Sequence, residues 1–311
     1  MVEHPSNPVT STTVRRVAAR LGLQVRRVRA TRPADADSLG NGNWHVWTGD
    51  GHRFVLRRYH TLRTEQDLSY ESQVLRHLAA HGWSVPATAA GPVAHDGRLW
   101  AATRYVEGRP RQTETPAHRA QRGSILARLH GDLRDLELGQ RPWFYRGCEL
   151  DLMGAFQDWD AGVLALQAER PDLEEWATAA MANAKQEVAD RGLSTLPGVV
   201  VHGDFASWNL HFSGSRLTGV IDFDLTHQDS RAWEFVLARM HRTPELIEGY
   251  ERTAAELGFP LSAAEKEAVE PLERVFRVNM VMAELWGATR TGRFDFEMIE
   301  RQLSRTGTAA P

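Results

Sequence analysis

A nine-residue segment at 202–210, His-Gly-Asp-Phe-Ala-Ser-Trp-Asn-Leu, constrains the fold and chemistry of this chain more than any other feature. Its Asp204 and Asn209 lie five residues apart among strand-like apolar residues, and Asp222 lies on the next predicted strand. Aspartate and asparagine oxygens are ligands that Mg²⁺ prefers, and a further carboxylate can orient and deprotonate an alcohol. The segment therefore predicts short strands that carry catalytic loops, with chemistry suited to phosphoryl transfer.

The length and composition indicate a soluble protein of two packed lobes or domains. A chain of 311 residues exceeds the usual size of one small domain, and 42% of its residues are apolar. No apolar segment approaches the ~18–20 residues of a membrane span, and the polar first thirteen residues lack the apolar core of a signal peptide. The single cysteine, Cys148, excludes an internal disulfide and fits a reducing compartment. These features predict a cytoplasmic protein that does not bind a membrane.

Charge is distributed unevenly along the chain. The net charge is only −3, which argues against a nucleic-acid-binding protein. Residues 1–109 carry 15 Lys and Arg against 9 Asp and Glu, whereas the remaining residues carry 22 against 31. A basic first part suits a polyphosphate and an acidic second part suits a cationic substrate, although drift in surface composition explains the asymmetry equally well. The only lysines are Lys185 and Lys266, so the first half has no lysine to contact phosphates.

Apolar periodicity and turn residues predict an ordered series of elements. A short helix capped by Thr12 or Thr13 is followed by a small, mostly antiparallel sheet and one long helix over 65–81. Turns at 49–51 and 95–97 join hairpin strands, and Gly108-Arg109-Pro110 interrupts the pattern as a predicted hinge. The remaining residues predict mainly helices, namely 116–129, a broken stretch between 151 and 191, 232–242, 245–257, 263–288 and about 294–303.

One strand-rich insertion interrupts this helical part and contains the segment 202–210. Its predicted strands are 198–201, 210–212 and 217–223. Because side chains alternate along a strand, Asp222 and Asp224 are expected to point to the same side. Asp224 would then either bind the metal, directly or through another ligand, or accept a structural hydrogen bond. The sequence leaves both alternatives open.

The segment 202–210, with Ile221-Asp222, resembles the signature of the aminoglycoside phosphotransferase family. That kinase-like family includes antibiotic kinases and choline and homoserine kinases of the same fold, and the element order agrees over nearly the whole chain. The resemblance implies transfer of the γ-phosphoryl group of ATP or GTP to a hydroxyl of a small molecule, with Mg²⁺ as the metal. It implies that Asp204 is the catalytic base, that Asn209 and Asp222 are metal ligands, and that the histidine before them braces the loop.

The resemblance also implies an α+β, two-lobe, protein-kinase-like fold. Residues 1–107 would form an N-terminal nucleotide-binding lobe around a small antiparallel sheet. Residues 108–311 would form a mainly helical C-terminal catalytic and substrate-binding lobe.

A cation of the first lobe must contact the α and β phosphates of the nucleotide. Kinases usually provide lysine, whereas the matching segment here contains Arg57 and Arg58. Strand alternation puts Val55 and Arg57 on one face and Arg58 on the other, so Arg57 is the predicted phosphate contact and Val55 the residue over the adenine. Arginine offers a bidentate fork in place of a point charge, and Glu71 on the long helix is its predicted partner.

Two further segments are predicted to contact the nucleotide. The turn over 38–43 would cover the phosphates through Ser38 and the backbone at Gly40 and Gly42, although it lacks the third glycine of a G-x-G-x-x-G run. Alone, it is equally typical of an ordinary hairpin. Segment 103–108 resembles the family hinge, where backbone groups of Arg104 and Val106 would bind the adenine.

The acceptor site is predicted among acidic residues of the second lobe, which suit an amine-bearing alcohol. Asp229, Glu234 and Glu284 are candidates, although a solvated helix face is the commoner role of such residues. Segment 231–234 also matches a family segment that braces the metal loop, with Glu234 where an aspartate is common.

Three functions are compatible with these residues. The leading prediction is a kinase that modifies an antibiotic, such as an aminoglycoside or another sugar- or nucleoside-bearing compound, and so confers resistance. The close alternative is a metabolite kinase for homoserine, choline or an amino sugar. A nucleotide-binding pseudokinase is a weaker alternative because Asp204, Asn209 and Asp222 are all present. No long activation segment follows Asp222, which argues against a protein kinase. The sequence assigns no oligomeric state.

Overall fold

The computed structural model describes residues 9–32, 41–150 and 159–310. Its contacts divide the chain into two compact units. Unit 1 comprises Met1–Arg111 and Trp208–Asp222, and unit 2 comprises Gln112–Ser207 and Phe223–Pro311. The division into lobes at 107/108 stays a prediction, and the structure groups Trp208–Asp222 with unit 1. The predicted α+β class is confirmed, since unit 1 is built on an antiparallel sheet and unit 2 is mainly helical.

Strands dominate unit 1 and helices dominate unit 2. The strands are β1 Val25–Arg32, β2 Gly42–Thr48, β3 Arg53–Arg58, β4 Thr88–His95, β5 Arg98–Arg104, β6 Val199–Val201, β7 Leu210–Ser213, β8 Arg216–Val220 and β9 His227–Asp229. The helices are α1 Ser11–Arg20, α2 Glu65–Ala80, α3 Pro116–Leu133, α4 Trp159–Glu169, α5 Pro171–Asp190, α6 Val236–Met240, α7 Pro244–Glu256, α8 Ala263–Thr291 and α9 Phe296–Leu303.

The sheet of unit 1 has the strand order β1-β2-β3-β5-β4, with every neighbouring pair antiparallel. Helix α1 covers one face, where its apolar residues pack against Trp44, Val46 and Leu56. The cap of α1 is Thr10 and not the predicted Thr12 or Thr13, because the Thr10 side chain accepts from the N–H three residues later.

Helix α2 contributes to a second apolar cluster on the opposite face, in which Leu68 packs with Tyr59 and Ala101. The side chains of a strand alternate between faces, so Val55 and Arg57 emerge on this second face, opposite to Leu56. Alternation along β3 therefore determines that Arg57, and not Arg58, faces α2.

The β7–β8 hairpin belongs to unit 1 through backbone contacts. Phe212 forms an isolated bridge with Arg109, and the Val220 N–H donates to the Ser84 carbonyl at 3.0 Å. These bonds fix the end of β8, and hence the position of Asp222, relative to the sheet of the same unit.

Unit 2 packs its helices around buried apolar residues, and β6 pairs with β9. Helices α3, α5 and α7 begin at Pro116, Pro171 and Pro244, where the missing N–H of proline costs no hydrogen bond. None of the described helices is long and apolar enough to cross a membrane.

In two predicted elements, part of the segment forms a 3₁₀ turn instead. The strand predicted over 217–223 ends at Val220, because Asp222 adopts the left-handed φ of 67° and Phe223–Leu225 forms a 3₁₀ turn. The expectation that Asp222 and Asp224 share one side of a strand is therefore wrong. The helix predicted over 232–242 begins as the 3₁₀ turn Arg231–Phe235, and only α6 is α-helical. Part of the broken helical stretch, 151–158, lies outside the described residues.

Candidate active site

Arg57, the predicted phosphate contact, lies between two carboxylates of unit 1. Its Nη1 is 4.0 Å from Glu71 Oε1, and its Nη2 donates to Asp222 Oδ1 at 3.2 Å. The side chains of Arg57 and Glu71 are 10% and 4% exposed, whereas that of Asp222 is 44% exposed. A buried guanidinium requires such partners, because an uncompensated buried charge is strongly destabilising. The structure thus brings together three of the residues that the sequence singled out.

Arg58 emerges on the other face of the sheet, next to Arg98. Burial and the charge of Arg98 lower the pKa of the Arg58 guanidinium from its usual value. Val55 lies two residues before Arg57, on the same face of β3, and pairs with His45 of β2. The two arginines therefore have different environments, and only Arg57 faces the carboxylates of α2 and of the segment after β8.

Asn209 and Asp222, the predicted metal ligands, are neighbours in unit 1. The Ile221 N–H donates to the Asn209 carbonyl at 2.9 Å, which brings the residue before Asp222 against Asn209. Asn209 is buried, while Asp222 is half-buried and adopts a left-handed backbone conformation that costs a non-glycine residue roughly 1–2 kcal/mol. Strain of this kind is tolerated where the surrounding structure fixes a functional side chain.

The donor set of Asn209 and Asp222 fits a hard divalent cation. Amide and carboxylate oxygens suit Mg²⁺, which binds few protein groups and completes its shell with water and phosphate oxygens. In the described part of the chain, no three His, Cys, Asp or Glu side chains cluster as a metal site of their own. Held by these two residues, Mg²⁺ would complete its shell with oxygens of a nucleotide or of water.

Asp204, the predicted catalytic residue, lies on a loop of unit 2 that is fixed by hydrogen bonds. The Glu234 carboxylate accepts from the His202 N–H and, at 3.0 Å, from the Gly203 N–H. The Asp204 N–H donates to Nδ1 of His202 at 3.3 Å, and Arg122 donates to the carbonyl of Phe205 at 3.2 Å. These hydrogen bonds hold the loop in place. Asp204 itself is half-buried and so remains partly accessible to solvent.

Gly203 cannot be replaced by a larger residue without displacing this loop. Its φ is +83°, and a Cβ atom at this position would lie 2.2 Å from the Leu225 carbonyl oxygen. Only glycine tolerates both the conformation and the close approach.

Glu234 carries a buried charge that the loop and α3 compensate. Burial alone would raise the pKa of Glu234, but His130, His202 and the Gly203 N–H stabilise its carboxylate and hold the pKa below its ordinary value. The His130 Nε2 atom lies 3.9 Å from Glu234, and its Nδ1 is 2.9 Å from the Tyr250 hydroxyl. Glu234 therefore positions the backbone before Asp204.

The other acidic candidates for the acceptor site also accept hydrogen bonds within unit 2. Asp229 is 1% exposed, accepts from the Gly147 N–H at 2.7 Å, and lies 3.5 Å from the Arg146 guanidinium. Glu284 accepts from the Asp295 N–H at 2.7 Å. Binding of the acceptor by Asp229, Glu234 or Glu284 stays a prediction, and these contacts give all three a structural role.

The remaining nucleotide residues lie partly inside and partly outside the described ranges. Ser38 and Gly40 lie outside the described residues. Gly42 is buried at the start of β2, where a Cβ atom would lie 2.7 Å from the Trp44 ring. In the predicted hinge, the Arg104 N–H donates to the Ala87 carbonyl at 2.9 Å, so this group is engaged inside the protein.

Sequence reasoning missed Arg141, which is fully buried in unit 2. Its Nη1 donates to the carbonyls of Asp224 at 2.9 Å and Thr226 at 2.6 Å, and its guanidinium lies 4.2 Å from the centre of the Phe144 ring. A lone arginine in a polar loop gives no signal of such burial. His130 offered a weak signal, because it is a polar residue on the apolar face of α3.

Comparisons with known proteins find matches over most of the chain. A match to the phosphotransferase enzyme family (APH) covers residues 31–272. A homoserine kinase of Bradyrhizobium sp. (strain BTAi1) is 29% identical over 263 residues, covering 80% of this chain and 77% of that protein. A homoserine kinase of Brucella anthropi is 29% identical over 266 residues, covering 81% and 77%.

Solved structures share the fold at lower identity. A microcompartment-associated aminopropanol kinase is 18% identical with a TM-score of 0.68, covering 95% of this chain and 94% of that one. The macrolide 2'-phosphotransferase of Brachybacterium faecium is 16% identical with a TM-score of 0.59, covering 96% and 99%. These similarities show a kinase-like fold.

Proposed function

The chain belongs to the phosphotransferase enzyme family and is a small-molecule kinase acting on a hydroxyl group, and we propose that it uses Mg²⁺ with ATP or GTP and that Asp204 is its catalytic residue. The observation that carries this proposal is the position of Arg57 between Glu71 and Asp222. A cation oriented by a helix glutamate, next to a metal-ligating aspartate, is suited to hold the phosphates of a nucleotide.

The proposed reaction assigns each of these residues one task. Arg57 binds phosphate oxygens through its fork of N–H donors, and Glu71 fixes the orientation of that fork. Asn209 and Asp222 would hold Mg²⁺, which, when bound, neutralises charge on the phosphate oxygens. The acceptor oxygen forms a bond to the γ-phosphorus while the bond from that phosphorus to the bridging oxygen breaks, and the nucleoside diphosphate leaves with the electron pair. Asp204 orients the acceptor hydroxyl and takes its proton.

We take a short amino alcohol or hydroxy amino acid as the first candidate acceptor. Homoserine kinases are the curated relatives that support it, at identities of 26–29% over about four fifths of the chain. A second candidate is an antibiotic, whose phosphorylation would confer resistance. The support for this class is similarity of fold alone, for example to an amicoumacin kinase with a TM-score of 0.67.

A screen of nucleotide consumption tests the proposal. The full chain, with Mg²⁺ and either ATP or GTP, is incubated with homoserine, aminopropanol, choline, aminoglycosides, macrolides and nucleoside antibiotics. We expect acceptor-dependent release of nucleoside diphosphate with one class, and a phosphorylated product by ³¹P NMR. Nucleotide binding without turnover of any hydroxyl compound would contradict the proposal and favour a pseudokinase.

A further inference from the structure

Three consecutive carbonyls, those of Asp224, Leu225 and Thr226, accept from buried side chains of unit 2. Arg141 donates through Nη1 to the first at 2.9 Å and to the third at 2.6 Å. The middle carbonyl, that of Leu225, lies 2.6 Å from Nδ1 of His227, a residue that is 1% exposed. A carbonyl oxygen only accepts, so Nδ1 carries a proton and donates. Side chains therefore fix the orientation of all three peptide groups.

The other ring nitrogen of His227 faces Asp229. Its Nε2 lies 3.3 Å from Oδ2 of this buried carboxylate. The same carboxylate accepts from the Gly147 N–H at 2.7 Å and from the Ser230 N–H at 2.6 Å, which fixes its own position. Because Nδ1 already donates to Leu225, a hydrogen bond between Nε2 and Oδ2 requires a second proton, on the ring or on the carboxylate. Asp229 thus holds the ring in the orientation that directs Nδ1 at the Leu225 carbonyl.

The Leu225 carbonyl lies directly against the loop that carries Asp204. A Cβ atom at Gly203 would lie 2.2 Å from this oxygen, so the oxygen packs against the glycine that precedes Asp204. Strand β6, which leads into the loop, pairs with β9, and Val201 lies opposite His227. A rotation of the Leu225 peptide group would move its oxygen relative to Gly203. The position of the Asp204 backbone therefore depends on where His227 holds that oxygen.

We propose that His227, oriented by Asp229, is a positioning residue that sets the place of Asp204 in phosphoryl transfer. It acts through the Leu225 carbonyl, which packs against the glycine before Asp204. The inference rests on the proposed function, in which Asp204 orients the acceptor hydroxyl and takes its proton. A misplacement of about 1 Å can reduce a rate about a hundredfold, so loss of this contact should lower the turnover number more than it lowers nucleotide affinity.

Two substitutions separate the two hydrogen bonds of the ring. Asparagine places its amide N–H groups near Nδ1, so His227→Asn keeps a donor to Leu225 and loses the bond to Asp229. Glutamine places them near Nε2, so His227→Gln keeps the bond to Asp229 and loses the donor to Leu225. We expect the turnover number to fall about tenfold or more in His227→Gln and less than about fivefold in His227→Asn, with nucleotide affinity little changed in both. Thr306→Val is the matched control and should keep wild-type turnover, because it removes a buried hydroxyl donor from the Leu303 carbonyl.

A double-mutant cycle distinguishes positioning from a general loss of structure. If His227 acts through the carboxylate of Asp204, its replacement has little further effect once that carboxylate is gone. His227→Gln should therefore slow the Asp204→Asn variant by less than about threefold. A merely structural defect would slow both backgrounds by the same factor, and that result would overturn the inference.

The protonation of the His227 ring tests the geometry without an acceptor. Long-range ¹H–¹⁵N NMR of the full chain, with His227→Gln used to assign the ring, should show a proton on Nδ1. An unprotonated Nδ1 would overturn the inference whatever the turnover.

The kinetic outcomes separate the inference from the proposed function. Wild-type turnover in His227→Gln, beside a loss of turnover in Asp204→Asn, would overturn the inference alone. A drop in His227→Asn as large as that in His227→Gln would also overturn it, because the donor to Leu225 would then not be the group that matters. Wild-type turnover in Asp204→Asn, or no turnover by the wild-type chain, would overturn both.

Discussion

The guanidinium of Arg57 lies 3.2 Å from the carboxylate of Asp222, which links the predicted phosphate contact directly to a predicted metal ligand. The two residues are 165 positions apart in the sequence, and the β7–β8 hairpin brings them together within unit 1. In this pairing each charge neutralises the other. We expect binding of a magnesium nucleotide to exchange these partners, since phosphate oxygens then compete for Arg57 and the metal for Asp222.

Replacement of Arg57 should weaken nucleotide binding far more than replacement of its neighbour. Hydrogen bonds to charged groups contribute about 1.5–3 kcal/mol, so Arg57→Ala should lower nucleotide affinity at least tenfold. Arg58→Ala is the matched control, because its side chain emerges on the other face of the sheet. Titration of both variants with nucleotide checks this ranking, and a larger loss in Arg58→Ala would show that the assigned face is wrong.

Glu234→Gln should destabilise the loop that carries Asp204. The variant removes the buried charge that accepts from two consecutive N–H groups, and such losses cost about 1–3 kcal/mol of unfolding free energy. We also expect a lower turnover number, because the backbone before Asp204 loses its fixed position. Glu248→Gln, at an exposed position of α7, is the control in chemical denaturation and kinetics. Equal behaviour of the two variants would contradict the positioning role.

The energetic effect of the close contact at Gly203 can be separated from the effect of its backbone conformation. Gly203 and Gly214 both have positive φ, but only at Gly203 would a Cβ atom meet a neighbouring carbonyl. Gly214→Ala should cost about 1 kcal/mol from conformation alone. Gly203→Ala should cost clearly more and should reduce phosphoryl transfer, as measured by thermal unfolding and turnover. Similar melting temperatures for the two variants would argue against a tight contact at Gly203.

His45 should make stability depend on pH between about 4 and 6.5. Burial, then the charges of Arg53 and Arg29, lower the pKa of His45 from 6.5 to about 4. The unfolded chain therefore binds a proton in this range that the folded chain does not, so the contribution is complete above pH 6.5 and is lost as pH falls to 4. Because the ring is only half-buried, we expect a loss of about 1–2 kcal/mol.

A comparison of wild type with His45→Gln, by denaturation at several pH values, isolates this contribution. The variant should show a flatter dependence of unfolding free energy on pH in this window. Identical slopes for the two proteins would mean that His45 does not titrate as described.

Local patterns predicted the elements of unit 1 well. The turn at 49–51 joins β2 and β3, and α2 ends within one residue of its predicted end, because glycine turns and apolar periodicity act over short distances. Strand alternation also indicated the pairing of Arg57 with Glu71, since it depends only on which face of β3 packs against α2.

The features that the sequence did not predict arise from contacts between distant residues. The end of β8 depends on the left-handed conformation of Asp222, which aspartate adopts more often than most residues but which no glycine marks in the sequence. The buried carboxylate of Asp229 accepts from the Gly147 N–H, 82 positions away. Acidic residues that read as candidates for a substrate site can therefore be structural, and only the fold distinguishes the two roles.

The most direct test of the central claim is the rate of phosphoryl transfer by Asp204→Asn, measured with the acceptor found in the screen. Asparagine preserves the size of the side chain but cannot take the proton of the acceptor hydroxyl. We predict a turnover number reduced by about 10²–10⁴ with nucleotide affinity within threefold of wild type. Turnover near the wild-type rate would contradict the assignment of Asp204 as the catalytic residue.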